Sequence, residues 1–183
     1  MAETDSATIT LLVAAIASAS TLAGVWLANR NSRELLKLQL SDQANNESRR
    51  IVREKAEELY ELTDAWLKTI ASNSLFVGGV MQGKLTYNQC LDLQIDHSNK
   101  NTHKFSRIEM LVDIYFKETK SVYTKITDAR AVINEIISDH KKAYESGSFD
   151  GKKFLGPFNK AQSLLEMYGE EFKSVVAECA RNA

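Results

Sequence analysis

Three small constellations in this chain carry residue types that could do chemistry. Gly78-x-x-x-x-Gly83-Lys84 matches most of a phosphate-binding loop, where backbone amides cradle phosphates, Lys reaches the terminal ones and a following Ser or Thr holds magnesium. Here Leu85 follows the Lys and Thr86 comes one place late. No run of strand-turn-helix units surrounds the glycines, so a turn ahead of a new helix accounts for them. Cys90, His97 and His103 are metal-ligand types, and the first two fall on one face of a helix. A fourth ligand at ligand-like spacing and any C-x-x-C pair are missing. Asp92, Asp96 and His97 could form an acid–base pair with an orienting carboxylate, although a solvated helix face explains them better. His140 stands on an apolar stripe, where a hydrogen-bonded interface histidine is the ordinary reading and a pH switch the sharper one. Nucleophile elbows and zinc-protease helices are absent. The chain is therefore expected to be no enzyme, with no catalytic residue, cofactor or metal assigned.

The elements that would position these residues are helical. Val52, Ala56, Leu59, Leu62, Trp66 and Ile70 step by three and four, which predicts an amphipathic helix over 47–73. Arg50 with Glu54 and Arg53 with Glu57 add four-apart pairs worth about 0.2–0.5 kcal/mol each. Interleaved acids make this charged cluster a solvated face rather than a lipid-binding patch. Thr86 and Gln89 match a capping box opening a short helix over 87–97.

The most regular stretch is Phe105, Ile108, Val112, Tyr115, Thr119, Val122, Ile126, Ala129, Ile133, Ile136, His140 and Ala143, an unbroken three-four alternation. It predicts one helix over 102–145, with Gly147 as its stop. Pro157 suits the first turn of a last helix over 157–180, and a close helix crossing would explain Gly169 inside it, where Gly costs about 1 kcal/mol relative to Ala. The 102–145 helix would be about 66 Å long and outreach its partners. The part of its seam made by Ile126, Ala129, Ile133, Ile136, His140 and Ala143 is thus expected to be open to another chain.

Ahead of these helices lies an uncharged run, 7–28, which would be roughly 33 Å long as a helix, against a bilayer core of about 30 Å. Its Leu, Ile and Val residues each favour insertion by roughly 0.3–0.6 kcal/mol, a modest gross gain of about 3–5 kcal/mol. Ala17-Ser18-Ala19 resembles a signal-peptide cleavage site, but the start Met-Ala-Glu-Thr-Asp is acidic and the apolar run continues well past it. A buried helix of a globular protein would carry a charged face, which this segment lacks. Small residues at four-residue spacing, Ser20, Gly24 and Ala28 together with Ala15 and Ala19, give the span a face on which another span could pack. All 23 Lys and Arg follow Ala28, beginning with Arg30, whereas Glu3 and Asp5 precede it. The positive-inside bias then sends the C-terminal part to the cytoplasm.

The expected fold class is all-α: an N-terminal single transmembrane helix followed by an antiparallel helical bundle, three long helices plus one short, with coiled-coil-like seams. The divisions are a short non-cytoplasmic tail 1–6, the transmembrane helix 7–28, a juxtamembrane stalk 29–46 and a cytoplasmic bundle 47–183. Nothing in the sequence decides whether the polar stretch Ser41 to Arg50 continues as helix or breaks at Asn45-Asn46. With 23 basic and 24 acidic residues, the chain lacks the excess of a nucleic-acid surface. Two Cys fit no disulfide framework. The expected function is a membrane-tethered, non-enzymatic interaction or oligomerisation module at the cytoplasmic face of the plasma (inner) membrane. Its partners are the lipid bilayer and other proteins or itself, and no nucleic acid. The alternatives are a membrane effector that perturbs the bilayer on oligomerisation and a ligand-sensing bundle that signals through the stalk.

Overall fold

In the computed structural model the backbone is described for residues 2–98 and 105–182, and the side chains for the same residues except 2–12, 14, 15, 19, 23 and 98. Helix α1 runs Ala2–Met81, α2 Tyr87–Ser98, α3 Phe105–Ile114, α4 Lys120–Glu145 and α5 Lys152–Asn182, with a 3-10 turn at Lys117–Thr119. No strand occurs among the described residues. The chain divides into two compact units, Met1–Arg49 and Arg50–Ala183.

The described residues of the first unit are all helix, including the polar stretch from Ser41. It contains no Pro, and Ser41 Oγ donates to the Leu38 carbonyl at 2.8 Å within the helix. Among the described residues no helix is long and apolar enough to cross a membrane. Much of the run 7–28, including Ala15 and Ala19 of its small-residue face, lies outside the described side chains. The apolar side chains that are described there, Val13, Ile16, Leu22, Val25, Trp26 and Leu27, are all more than half exposed.

The second unit is an antiparallel bundle of four legs. Trp66 of α1 meets Phe105 of α3 (ring centroids 5.2 Å apart) and Tyr123 of α4 (6.4 Å). The α3 leg continues down α1, where Arg107 reaches Glu58. α4 rises alongside α1, since Gly151 lies close against both His140 and Met81 near their ends. α5 descends, with Phe158 beside Gly78, Gly169 against Leu67 and Lys173 bonded to Asp64. α2 and α3 together supply the second leg. Leu59, Leu111, Ile126 and Phe172 are fully buried at the centre, each worth about 1.5–3 kcal/mol of apolar transfer.

The single helix expected over 102–145 is corrected by this arrangement. The chain reverses at 115–119, so that Phe105 and Tyr123 face the same Trp66. No Gly or Pro marks the reversal. Phe116 breaks the helix with ψ of 53° and is buried, and Thr119, also buried, donates its hydroxyl to the Phe116 carbonyl at 2.7 Å. Folding back lets both halves of the stripe bury against α1 and α5, whereas a straight helix would strand one of them in water. The bundle thus has three long helices, α1, α4 and α5, as expected, but two short ones, α2 and α3, rather than one. The helix expected at 47–73 extends to Met81, and the one expected at 157–180 begins at Lys152. Pro157 accordingly sits inside α5 rather than in its first turn, on an exposed side.

The helix ends carry their own chemistry. At the end of α1, Gly83 adopts φ 70°, its amide donates to the Val80 carbonyl and that of Lys84 to Gly79. Gly147 (φ 90°) ends α4 the same way, with the Gly147 amide on Tyr144 and the Ser148 amide on Ala143. Both are left-handed C-caps that satisfy carbonyls the helix leaves open. Thr86 and Gln89 form the expected capping box: the Thr86 amide donates to Gln89 Oε1 at 2.9 Å and the Gln89 amide to Thr86 Oγ1 at 3.3 Å. A methyl group added at Gly169 would lie 2.5 Å from Leu67 Cδ1, which is the close crossing that residue implied.

Candidate functional site

Between α1, α2 and α4 the bundle opens into a cavity of about 700 Å³, within the size range of small-molecule sites. Helical periodicity selects its lining: Ile70, Asn73, Ser74 and Val77 from α1, Tyr87, Cys90, Leu91 and Gln94 from α2, and Arg130, Ile133, Asn134, Ile137 and Lys141 from α4. Apolar Ile, Val and Leu thus alternate with amides and two cations. The Asn73 Oδ1 atom is buried behind this wall without a hydrogen-bond partner, an arrangement that costs about 1–3 kcal/mol.

The two cations differ. Lys141 Nζ lies 3.9 Å from Glu145, which compensates its charge. The Arg130 guanidinium is half-buried and sits over the rings of Trp66 (5.6 Å) and Phe105 (5.5 Å). Among the described residues no carboxylate pairs with it. The two rings, with centroids 5.2 Å apart, lie on one side of the guanidinium, and a cation–π contact does not use up its N–H donors, which stay available to a planar acceptor.

At the other end of the cavity Tyr87 Oη and His140 Nδ1 lie 2.7 Å apart. Tyr144 and Phe154 pack their rings edge-on to this pair. His140 Nε2 is buried without a partner, against the backbone of Gly151. Burial pushes the His140 pKa down, so the ring is neutral. The same desolvation raises the Tyr87 hydroxyl to about 12 and raises the Cys90 thiol, leaving both protonated and poorly nucleophilic.

The constellations read from sequence are mostly dispersed. Gly78 to Lys84 is the last turn and cap of α1, whose amides are spent on its own carbonyls. Cys90 is buried, whereas His97 is half-buried against Phe76, and His103 lies outside the described residues. Asp92 and Asp96 are exposed on α2. No group of three His, Cys, Asp or Glu able to hold a metal occurs among the described residues. Of the seam expected to face another chain, Ile126, Ala129, Ile133 and His140 are buried in this chain's own core, and Ile136 and Ala143 are partly covered. Ser20, Gly24 and Ala28 share an exposed face of α1.

Sequence reasoning missed three charged groups. Arg107 makes a two-pronged pair with Glu58, Nε to Oε1 at 2.6 Å and Nη2 to Oε2 at 2.9 Å, and this hydrogen bonding holds the Glu58 carboxyl down at about 2. Lys173 is buried between Glu170 (2.7 Å) and Asp64 (3.1 Å), with its Nζ over the Tyr60 ring. Arg130 is the third. Its signal was available, because it sits four residues from Ile126 and three from Ile133, on the buried side of α4. Compared with family models, curated proteins and solved structures, the chain matches none.

Proposed function

We propose that this chain is a membrane-tethered, non-enzymatic helical bundle that serves as an interaction or oligomerisation module at the cytoplasmic face. The observation that carries the proposal is the exposure of Val13, Ile16, Leu22, Val25, Trp26 and Leu27, from 54% to 71%, on an uncharged helical run. Apolar side chains exposed at this density call for an apolar surrounding. Two local features suit that surrounding to a bilayer. Ser20 and Thr21 return their hydroxyls to the carbonyls of Ile16 and Ala17 at 2.8 and 2.9 Å, which removes two unsatisfied donors. At the C-terminal end Trp26 lies under the Arg30 guanidinium at 5.8 Å, an aromatic and a cation where an interface would fall.

With the α4 seam occupied internally, self-association falls to the N-terminal helix and its Ser20, Gly24 and Ala28 face. The test compares the full chain with one beginning at Asn31 after alkaline washing of membranes. The full chain is expected to stay with the membranes and the shortened one to leave. Release of both would overturn the tether. Because Cys90 is buried and Cys179 half-buried, with both thiols raised by burial, orientation is better read from Ser148→Cys on the exposed loop. An impermeant thiol reagent should label it only after permeabilisation.

A further inference from the structure

We infer that the cavity between α1, α2 and α4 binds a short apolar peptide through its free C-terminal carboxylate. This is independent of the membrane tether. Arg130 supplies the anion site: a half-buried guanidinium with Trp66 and Phe105 together on one side of it and no carboxylate partner among the described residues. The other buried or half-buried Lys and Arg among the described residues differ in this respect, since Lys55 and Arg107 pair with Glu58 and Lys173 with Asp64 and Glu170. A carboxylate takes a guanidinium edge two-pronged, with geometry that a Lys cannot copy.

Asn88, Asn134 and Gln94 line the same cavity with side-chain amides. A side-chain amide both donates and accepts, which matches the N–H and carbonyl of a peptide group. Ile133 and Ile137, spaced along the same α4 face, provide apolar contacts for alternate side chains. From Arg130 to Lys141 the α4 wall is about 16 Å long at helical rise, which matches about four to five extended residues. At the far end Lys141 and Glu145 offset one another. The cavity therefore carries one uncompensated positive charge, matching one carboxylate.

Calorimetric titration of the full chain in detergent tests this with N-acetyl-Ala-Leu-Leu as the free acid and as its C-terminal amide. The acid is expected to bind, and the amide about tenfold or more weakly, because it forfeits a charge-assisted two-pronged contact. Arg130→Gln should lower affinity for the acid to that for the amide, and Arg130→Lys should restore only part of it. Ile137→Trp, which fills the cavity without altering charge, should abolish binding of both. Thermal unfolding verifies that each variant folds. Equal binding of acid and amide by the unaltered chain overturns the inference even if every Arg130 variant is unstable. So does an absence of binding, or binding that Ile137→Trp leaves unchanged in a folded protein.

Discussion

Leu38 and Leu59 lie on the same helix, yet one is 61% exposed and the other fully buried. In the unit Met1–Arg49 the helix is supported locally, by propensity and by four-apart pairs such as Arg30 with Glu34 at 3.6 Å. Its described leucines are all more than half exposed. In the unit Arg50–Ala183 the same periodicity closes a core, and the leucines there hold the fold. Apolar content alone therefore does not mark a core. What distinguishes the halves is whether neighbouring legs exist to cover the stripe.

Substitutions that should fall heavily on one unit and lightly on the other can break this contrast. Phe172→Ala empties a fully buried site beside Tyr123 and is expected to cost about 3–5 kcal/mol in denaturant unfolding of the bundle. Leu38→Ala should leave the same transition within about 0.5 kcal/mol. An equal cost would show that the first unit also has a core. Glycines sharpen the point. A methyl group at Gly151 would sit 2.6 Å from the Met81 Cα and from His140 Nε2, with backbone that must shift, so Gly151→Ala should cost about 1–3 kcal/mol. Gly24 has nothing within 4 Å of such a methyl group, and Gly24→Ala should leave bundle unfolding unaltered.

Acid should act on the bundle in two stages. The His140 pKa is lowered by burial, so the unfolded chain takes up a proton first, near its ordinary value of about 6.5. Stability is thus full above that pH and declines as pH drops toward the folded value. Glu58, held at about 2 chiefly by its hydrogen bonds to Arg107, contributes fully above the ordinary carboxylate range and is lost as pH falls from about 4.5 to 2. Melting temperature against pH should show both slopes, with His140→Gln flattening the upper and Arg107→Gln the lower. The smallest effect belongs to the exposed Lys125–Glu171 pair at 3.0 Å. Lys125→Ala should change unfolding by less than about 1 kcal/mol, and a larger change would mean that surface charge, not burial, separates the two units.

Local chemistry in this chain was legible in the sequence, and long-range geometry was not. Thr86 with Gln89, Gly147 as a stop and the crossing at Gly169 all depend on a few neighbouring residues or on one glycine's lack of a side chain. The reversal at 115–119 was hidden because both halves of the stripe pack on the same legs, so the three-four spacing continues through Tyr115 and Thr119 without interruption. Phe116 and Thr119 make the turn with a buried ring and a hydroxyl, and neither residue advertises a break. The cavity was invisible for a related reason. Asn73, Gln94 and Arg130 come from three helices, and nothing in their separate spacings says that they converge. A charged residue on the buried side of α4 was the one available clue.

The pairing of α5 with α1 has a consequence for synthesis. Lys173 and Asp64 are 109 residues apart in sequence, so the crossing that closes the core waits until nearly the whole chain exists. The N-terminal helix is complete long before that. A chain emerging from its N-terminus has its exposed apolar segment ready for capture while the bundle is still an open set of legs. Under the tether proposed above, order of manufacture alone would place attachment ahead of folding.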